Sequence, residues 1–299
     1  MPQRSALRAT ALVVFSACCF GSIPILITLG IGGGARLIDL LIWRYVLAAL
    51  MLAALAVGTH SAWPARHRIL RILVIAGGGQ AAIAFVSLSA LRYIPAATLT
   101  FLFYTYPAWV AVTAAIRGTE PLTAPRLAAL GLSLAGIALM VGMPGTGGLH
   151  PVGVLLALSS ALLYAMYIPT IGHLGDGIAP TITSSLASGG AAIVLVFAAL
   201  AQGGLALRFS PVAWMAIVVL AIACTVLAFI AFLRGLAEIG PVRTAIVSTV
   251  EPFWTALLAS VVLGQAVGPR TMGGGVLIAA AVVVLQLGAV RPARASAVA

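Results

Sequence analysis

The chain has 299 residues, of which 63% are hydrophobic and only 7% charged, with a formal net charge of +11. Soluble domains carry about a quarter of their residues as charges, so this composition excludes an aqueous globule and points to a lipid bilayer. The positive balance does not point to nucleic acid, because the sixteen basic residues, all arginine, are scattered along the chain and form no patch.

Ten mostly apolar stretches follow one another, each near the roughly 20 residues that a spanning helix needs. Their expected bounds are 7–29, 36–57, 69–90, 95–116, 124–143, 150–172, 180–201, 211–233, 241–263 and 270–290. The first has a basic flank, Arg4 and Arg8, as a signal peptide would. Its apolar run is too long for one and nine similar spans follow, so it reads as a retained helix. Disorder is expected only near the ends, at residues 1–5 and 292–299.

Span 2 carries Arg44 in Trp43-Arg44-Tyr45, about two turns from its start. Such a residue either snorkels outward beside interfacial aromatics or serves in binding or an ion pair. Span 3 places Gln80 behind Gly77, Gly78 and Gly79. Span 4 holds the densest aromatic run, from Phe101 through Phe103, Tyr104 and Pro107 to Trp109. Helical spacing puts Tyr104, Pro107 and Ala108 on one face and turns Trp109 to a flank. Span 6 adds Tyr164, Tyr167 and Pro169, and span 9 adds Ser248, Thr249, Glu251, Pro252 and Trp254. Glu251 lies too deep to snorkel easily, which leaves a proton carrier or a group hydrogen-bonded across helices. Gln80, Phe103, Tyr104, Trp109, Tyr164, Tyr167, Ser248, Thr249 and Trp254 together describe an apolar-walled cavity with a few hydroxyl and amide groups, the usual makeup of a small-molecule site.

A shift of 145 positions lays the chain on itself: Pro24 falls on Pro169, Pro107 on Pro252 and Trp109 on Trp254. Ten spans divide into five and five, and an odd number per half means that the second half enters the membrane from the opposite face. The expected architecture is therefore an all-α integral membrane protein of ten transmembrane helices in two inverted five-helix repeats, residues 1–145 and 146–299. The break falls in the Gly/Pro-rich stretch 142–151. Twelve of the sixteen prolines lie at span ends or in loops. The other four, Pro24, Pro107, Pro169 and Pro252, each free the carbonyl four residues back, so helix kinks are expected there. A freed carbonyl facing lipid costs several kcal/mol. The alternatives are packing between helices or a shared central cavity. Gly131 with Gly136, Gly189 with Gly190, and Gly273 to Gly275 read as close helix packing.

Counting arginines by alternate sides puts eleven on the side of the N-terminus and four on the other, leaving out Arg44. The positive-inside rule then places both termini in the cytoplasm. Cys18, Cys19 and Cys224 fall inside spans with no spacing for a disulfide or a metal, and no cofactor or metal site is expected. Partners are the bilayer and a small-molecule substrate, with no nucleic acid; oligomeric state is not legible, and a monomer is the simplest reading.

Several motifs carry a resemblance over nearly the whole chain: Trp43-Arg44-Tyr45 in span 2, Leu91 to Ala97 opening span 4, Pro107 followed by Gly118-Thr119-Glu120, and Glu251-Pro252 followed by Gly264-Gln265. On these the chain resembles the drug/metabolite transporter superfamily in its ten-helix form with two EamA-type domains, and within it the YddG-like amino acid exporters. Gln265 departs from the Gly-Glu that usually follows the second proline span. The resemblance implies alternating access, with spans 1 to 4 and 6 to 9 around a cavity and spans 5 and 10 to one side. It also implies secondary export of small metabolites, foremost aromatic or other neutral amino acids, from a bacterial cytoplasm across the inner membrane. Efflux of a drug-like or other organic solute, or a passive channel, are the alternatives. An intramembrane enzyme is not expected: Asp39, Asp176 and all four histidines lie near span ends.

Overall fold

The computed structural model describes residues 2–118, 123–141 and 149–289. Ten apolar helices run in alternating directions: α1 (Leu7–Gly32), α2 (Leu37–Gly58), α3 (Arg66–Arg92), α4 (Ala96–Ile116), α5 (Ala124–Met140), α6 (Pro151–Leu174), α7 (Pro180–Ala201), α8 (Pro211–Ile239), α9 (Ile246–Leu263) and α10 (Pro269–Leu287). All but α5, the shortest, are long and apolar enough to span a bilayer. Both the junction expected near residue 145 and Glu120 lie outside the described residues. Helix already begins at Pro2, where a disordered end was expected.

The first half and the second interlock. α1 packs on α8, α2 on α7 and α5 on α10, while α6 lies against α3 and α4 as α1 lies against α8 and α9. This reciprocity is that of two units related by an axis in the membrane plane. The turn at Tyr93 and Ile94 meets Gly153 at the start of α6, and the turn at Gly33 meets Ser210, so these connections share one face. On the other face Arg68 donates to the carbonyls of Leu174 and Asp176. The first is the arginine-poor face and the second the arginine-rich one. α8 and α9 run in opposite directions along α1, and every residue of Ala228–Ser248 between them is in helical conformation. Gly235 abuts Ala9 and Val13, whereas Gly21 abuts Glu251 and Thr255.

Small residues set the tightest crossings. A side chain added at Gly190 would collide with the Leu73 backbone of α3, where Ile72–Ala76 forms a π-helical turn, and one at Gly77 would collide with Gly190. Gly136 and Gly274 bring α5 and α10 together in the same way, and Gly275 accepts the face of Phe101. A side chain added at Gly131 would meet no other helix within 4 Å, and one at Gly189 would make only ordinary contacts with Leu73 and Ala49 at 3.8 and 3.9 Å, so neither position requires the glycine that close packing was expected to need.

The arginine-poor face is tied by a side-chain pair. Arg36 Nε lies 2.6 Å from Asp39 Oδ2, and its terminal nitrogen donates to Asp39 Oδ1 at 2.8 Å and to the Gly204 carbonyl at 2.7 Å. Asp39 is fully buried and accepts a further bond from the Ala206 amide. Hydrogen bonding to Asp39 holds the Arg36 guanidinium above its ordinary range. Behind this tie a layer of Leu40, Leu41, Ile42, Ile217 and Leu220 is almost wholly buried.

Replacing Gly190 by Val should destabilise the α3–α7 crossing by at least the 1–3 kcal/mol that is roughly typical of overpacking, whereas Gly131→Ala should be neutral. Melting of the purified proteins in detergent, with yield of the monodisperse peak, reads the difference.

Candidate functional site

Three helices are interrupted where a proline approaches. α1 breaks at Ser22 ahead of Pro24, α4 at Tyr104 and Thr105 ahead of Pro107, and α9 at Thr249 ahead of Pro252. α6 instead continues unbroken through Pro169, so the expected interruption is absent there. A missing donor alone does not break a helix whose neighbours keep their bonds.

Around the breaks lies a cavity of about 710 Å³, within the range of small-molecule sites. Its long axis runs from the middle of the bundle toward the arginine-rich face. Ile171 and Ser184, which flank the α6–α7 turn, line it, as do Leu236 and Thr244, which flank the α8–α9 reversal. At its other end it stops at Ser87, Leu88 and Leu99. Beyond these the packed layer of Leu40, Leu41, Ile42, Ile217 and Leu220 closes the bundle.

One wall is aromatic. Phe103 and Tyr106 of α4 and Tyr164 of α6 form a continuous cluster, with ring centroids 5.2 Å apart for Phe103–Tyr164 and 4.9 Å for Tyr106–Tyr164. Tyr167 stacks on Tyr164 at 6.3 Å, and its hydroxyl approaches Gln80 Oε1 at 3.4 Å. Offset and edge-to-face ring pairs of this kind suit a flat apolar solute. On the opposite wall Arg44, 8% exposed, donates from Nε to Thr225 Oγ1 at 3.0 Å. The guanidinium therefore stays inside and does not snorkel. Thr225 sits in a second π-helical turn, Ile222–Leu227, and donates its own proton to the Leu220 carbonyl five residues back. Such turns re-aim side chains and recur at functional sites.

The interior carboxyl is held in a chain of hydrogen bonds. Tyr104, 6% exposed, places its hydroxyl 2.8 Å from the Ser248 carbonyl and 2.8 Å from Glu251 Oε2. Ser248 carries the carbonyl that Pro252 deprives of its helical partner. A tyrosine has one proton, and a carbonyl can only accept. Both contacts are satisfied when Tyr104 donates to Ser248 and Glu251, carrying a proton, donates to Tyr104. Among the described residues no ion pair reaches Glu251. Cys18, Tyr104, Tyr106 and Tyr164 lie within electrostatic reach of it.

Of the residues expected at the site, Gln80, Phe103, Tyr104, Tyr164, Tyr167, Ser248, Glu251, Arg44 and Pro24 line this cavity. Trp109, Thr249 and Trp254 do not. Trp109 is turned away by the helical offset from Tyr104. Thr249 folds its hydroxyl back onto the Ile246 carbonyl at 2.7 Å. Trp254 is spent on packing: its indole donates to Ser22 Oγ at 3.1 Å, and neighbouring Thr255 donates to the Gly21 carbonyl, pinning α9 to α1. Pro107, Pro169 and Pro252 also lie outside the lining. Sequence reasoning missed Thr225, Cys224 and the phenylalanines of α8, Phe229 and Phe232, because no sequence rule locates a π-helical turn. Gln286 of α10 reaches the cavity, so that helix is not wholly to one side. Gln265, the departure from the Gly-Glu pattern, accepts from the Ala96 amide at 3.0 Å and so caps α4; an amide oxygen serves this purpose as a carboxylate would.

Tyr104→Phe should leave the Ser248 carbonyl without its donor and cost about 1–3 kcal/mol, read as a lower melting temperature. Infrared spectra at neutral pH should show a protonated-carboxyl band that is missing in Glu251→Gln.

The sequence profile of the EamA-like transporter family matches residues 7–142 and again 151–287. A solved structure, titled only as the crystal structure of a protein, is similar at a TM-score of 0.67 with 17% identity, covering 95% of this chain and 99% of the other. At that identity it shows the fold alone. No curated protein matches.

Proposed function

The chain belongs to the EamA-like transporter family, and from that premise we propose that it is a secondary transporter exporting small, partly apolar metabolites, amino acids foremost, by alternating access. The observation that carries this reading is the cavity of about 710 Å³, aromatic on one wall and shut toward the arginine-poor face. A solute-sized chamber closed at one end supports alternating access over a continuous pore, because a channel needs a path through both faces. The eleven-to-four distribution of arginines supports a cytoplasmic arginine-rich face, with both termini there. The cavity then faces the cytoplasm, the side from which an exporter of a bacterial inner membrane takes its load. Resemblance to the YddG-like exporters and the aromatic wall favour aromatic and other neutral amino acids over larger drug-like solutes.

Glu251 gives this transporter a means of coupling to protons. In the state described, the hydrogen-bond chain through Tyr104 is complete only with Glu251 protonated. A rearrangement of α4 against α9 that parts Tyr104 from Glu251 would remove the acceptor that holds that proton.

In proteoliposomes, preloaded unlabelled amino acid should drive uptake of the same labelled amino acid. Absence of trans-stimulated exchange for every neutral amino acid tried would reject the amino acid reading. With an imposed pH gradient, wild-type flux should respond, and Glu251→Gln should exchange substrate with no such response. An unchanged gradient dependence in that variant removes Glu251 as carrier.

A further inference from the structure

Arg44 is the one basic residue inside a span away from both ends, and its surroundings offer it no counter-charge. Its Nε bonds Thr225 Oγ1, and its guanidinium lies 5.2 Å from the Tyr45 ring, which attracts a cation but neutralises nothing. The two terminal nitrogens make no hydrogen bond to protein, yet they are not sealed off, because they front the cavity that Arg44 lines. Of the described acidic residues, Asp39 is engaged by Arg36, Glu251 by Tyr104, and Asp176 and Glu238 belong to the arginine-rich end. Of the five N–H donors in this fixed fork, one is bonded to protein and four are left to the cavity side.

We propose that Arg44 is the carboxylate anchor of the cavity: the two terminal nitrogens take the two oxygens of a substrate carboxylate side by side, while the body of the solute lies on the Phe103, Tyr106 and Tyr164 wall. This rests on the cavity being the substrate site, and it deepens that reading by naming the group recognised. Three features select a carboxylate among anions. The fork and a carboxylate are both planar and match in two parallel bonds. A phosphate dianion calls for more positive charge than this wall holds, since among the described residues Arg44 is the one cation lining it. With Glu251 protonated, a single negative charge also brings the chamber to neutrality. Thr225 acts as a positioning residue. Having given its own proton to Leu220, its hydroxyl can only accept from Arg44 Nε, which leaves the opposite edge of the guanidinium for the ligand. A π-helical turn placed where it supplies that acceptor is a second observation pointing to the same edge. The substrate class is thus a small monocarboxylate with an aromatic or branched apolar body, amino acids included, in which the amino group is not the element that binding requires.

The test uses the full chain purified in detergent and reads stabilisation by pairs differing only in the anion: 3-phenylpropionate against 3-phenylpropanamide, and L-phenylalanine against L-phenylalaninamide, with sodium acetate as the salt control. Wild type should be stabilised by each carboxylate at concentrations at least about tenfold below its amide. Arg44→Lys, which keeps the charge and loses the fork, should narrow that preference by about tenfold, and Arg44→Gln should abolish it. Thr225→Val, which leaves the guanidinium in place but unaimed, should narrow it severalfold with amide binding unchanged, and it serves if Arg44→Gln does not fold. Equal stabilisation by acid and amide, no stabilisation by either carboxylate, or a carboxylate preference that survives in Arg44→Gln overturns the proposal. The two readings fail separately. If 3-phenylpropionate binds through Arg44 while no amino acid does, only the amino acid reading falls. If amino acids bind and exchange as well in Arg44→Gln as in wild type, only the anchor falls.

Discussion

A backbone carbonyl left without its helical partner inside a membrane has to find a donor, and the rest of this structure is arranged around one such group. Pro252 removes the amide that Ser248 would use, and Tyr104 from the other half of the chain supplies the missing bond. Lipid offers no hydrogen bonds, so the donor must come from protein. Once Tyr104 is committed to Ser248, its oxygen is free to accept, and Glu251 is the group beside it. A local backbone defect thereby ties α4 to α9 and brings Tyr104 against the interior carboxyl. The broken ends of α1, α4 and α9 then meet at one level, where their side chains diverge and leave room for a solute.

The interior charges sit on separate walls for a physical reason. Had Arg44 and Glu251 paired, the chamber would be neutral without a ligand, and a buried pair of that kind leaves little for a substrate to gain. Held apart, each keeps part of its bonding capacity turned to the cavity: the fork of Arg44 on one side and the second oxygen of Glu251 on the other. The aromatic cluster between them carries no charge, and its tyrosine hydroxyls are turned to protein where a partner exists. Recognition by such a chamber is divided between a charge at one edge and apolar contact over the rest.

Much of the fold was legible because a bilayer leaves few options. Apolar length gave ten helices, and an odd number per half gave inversion. The shift that pairs Pro107 with Pro252 also located two of the three interruptions. The candidate site was legible in part. Residues on α4, α6 and α9 could be placed relative to a proline and Gln80 of α3 behind its glycines, and most of those named do line the cavity. Trp109 and Trp254 could not be sorted, because a tryptophan that packs against a neighbouring helix and one that lines a chamber look alike in sequence. Thr225 was hidden for a different reason. It faces Arg44 only because a π-helical turn rotates α8 locally, and nothing in Ile222–Leu227 distinguishes that turn from ordinary helix.

The inverted halves differ at the arginine-poor face, which is shut in this bundle. In such a pair each half adopts in one state the arrangement its twin adopts in the other. The tie at the closed face uses Arg36 and Asp39, and the same shift of 145 brings these to Thr181 and Ser184. Neither can form an ion pair. If the arginine-rich face closed by the mirrored movement, Thr181 and Ser184 would stand where a two-bond guanidinium-carboxylate contact and its link to Gly204 now stand. On the arginine-rich face Arg68 donates to the carbonyls of Leu174 and Asp176. The links that cross the closed face, Arg36 to the Gly204 carbonyl and the Ala206 amide to Asp39, thus involve two charged side chains that the repeat replaces by Thr181 and Ser184. On the proposed reading, a carboxylate that neutralises Arg44 would let the chamber close around the guanidinium without burying a bare charge.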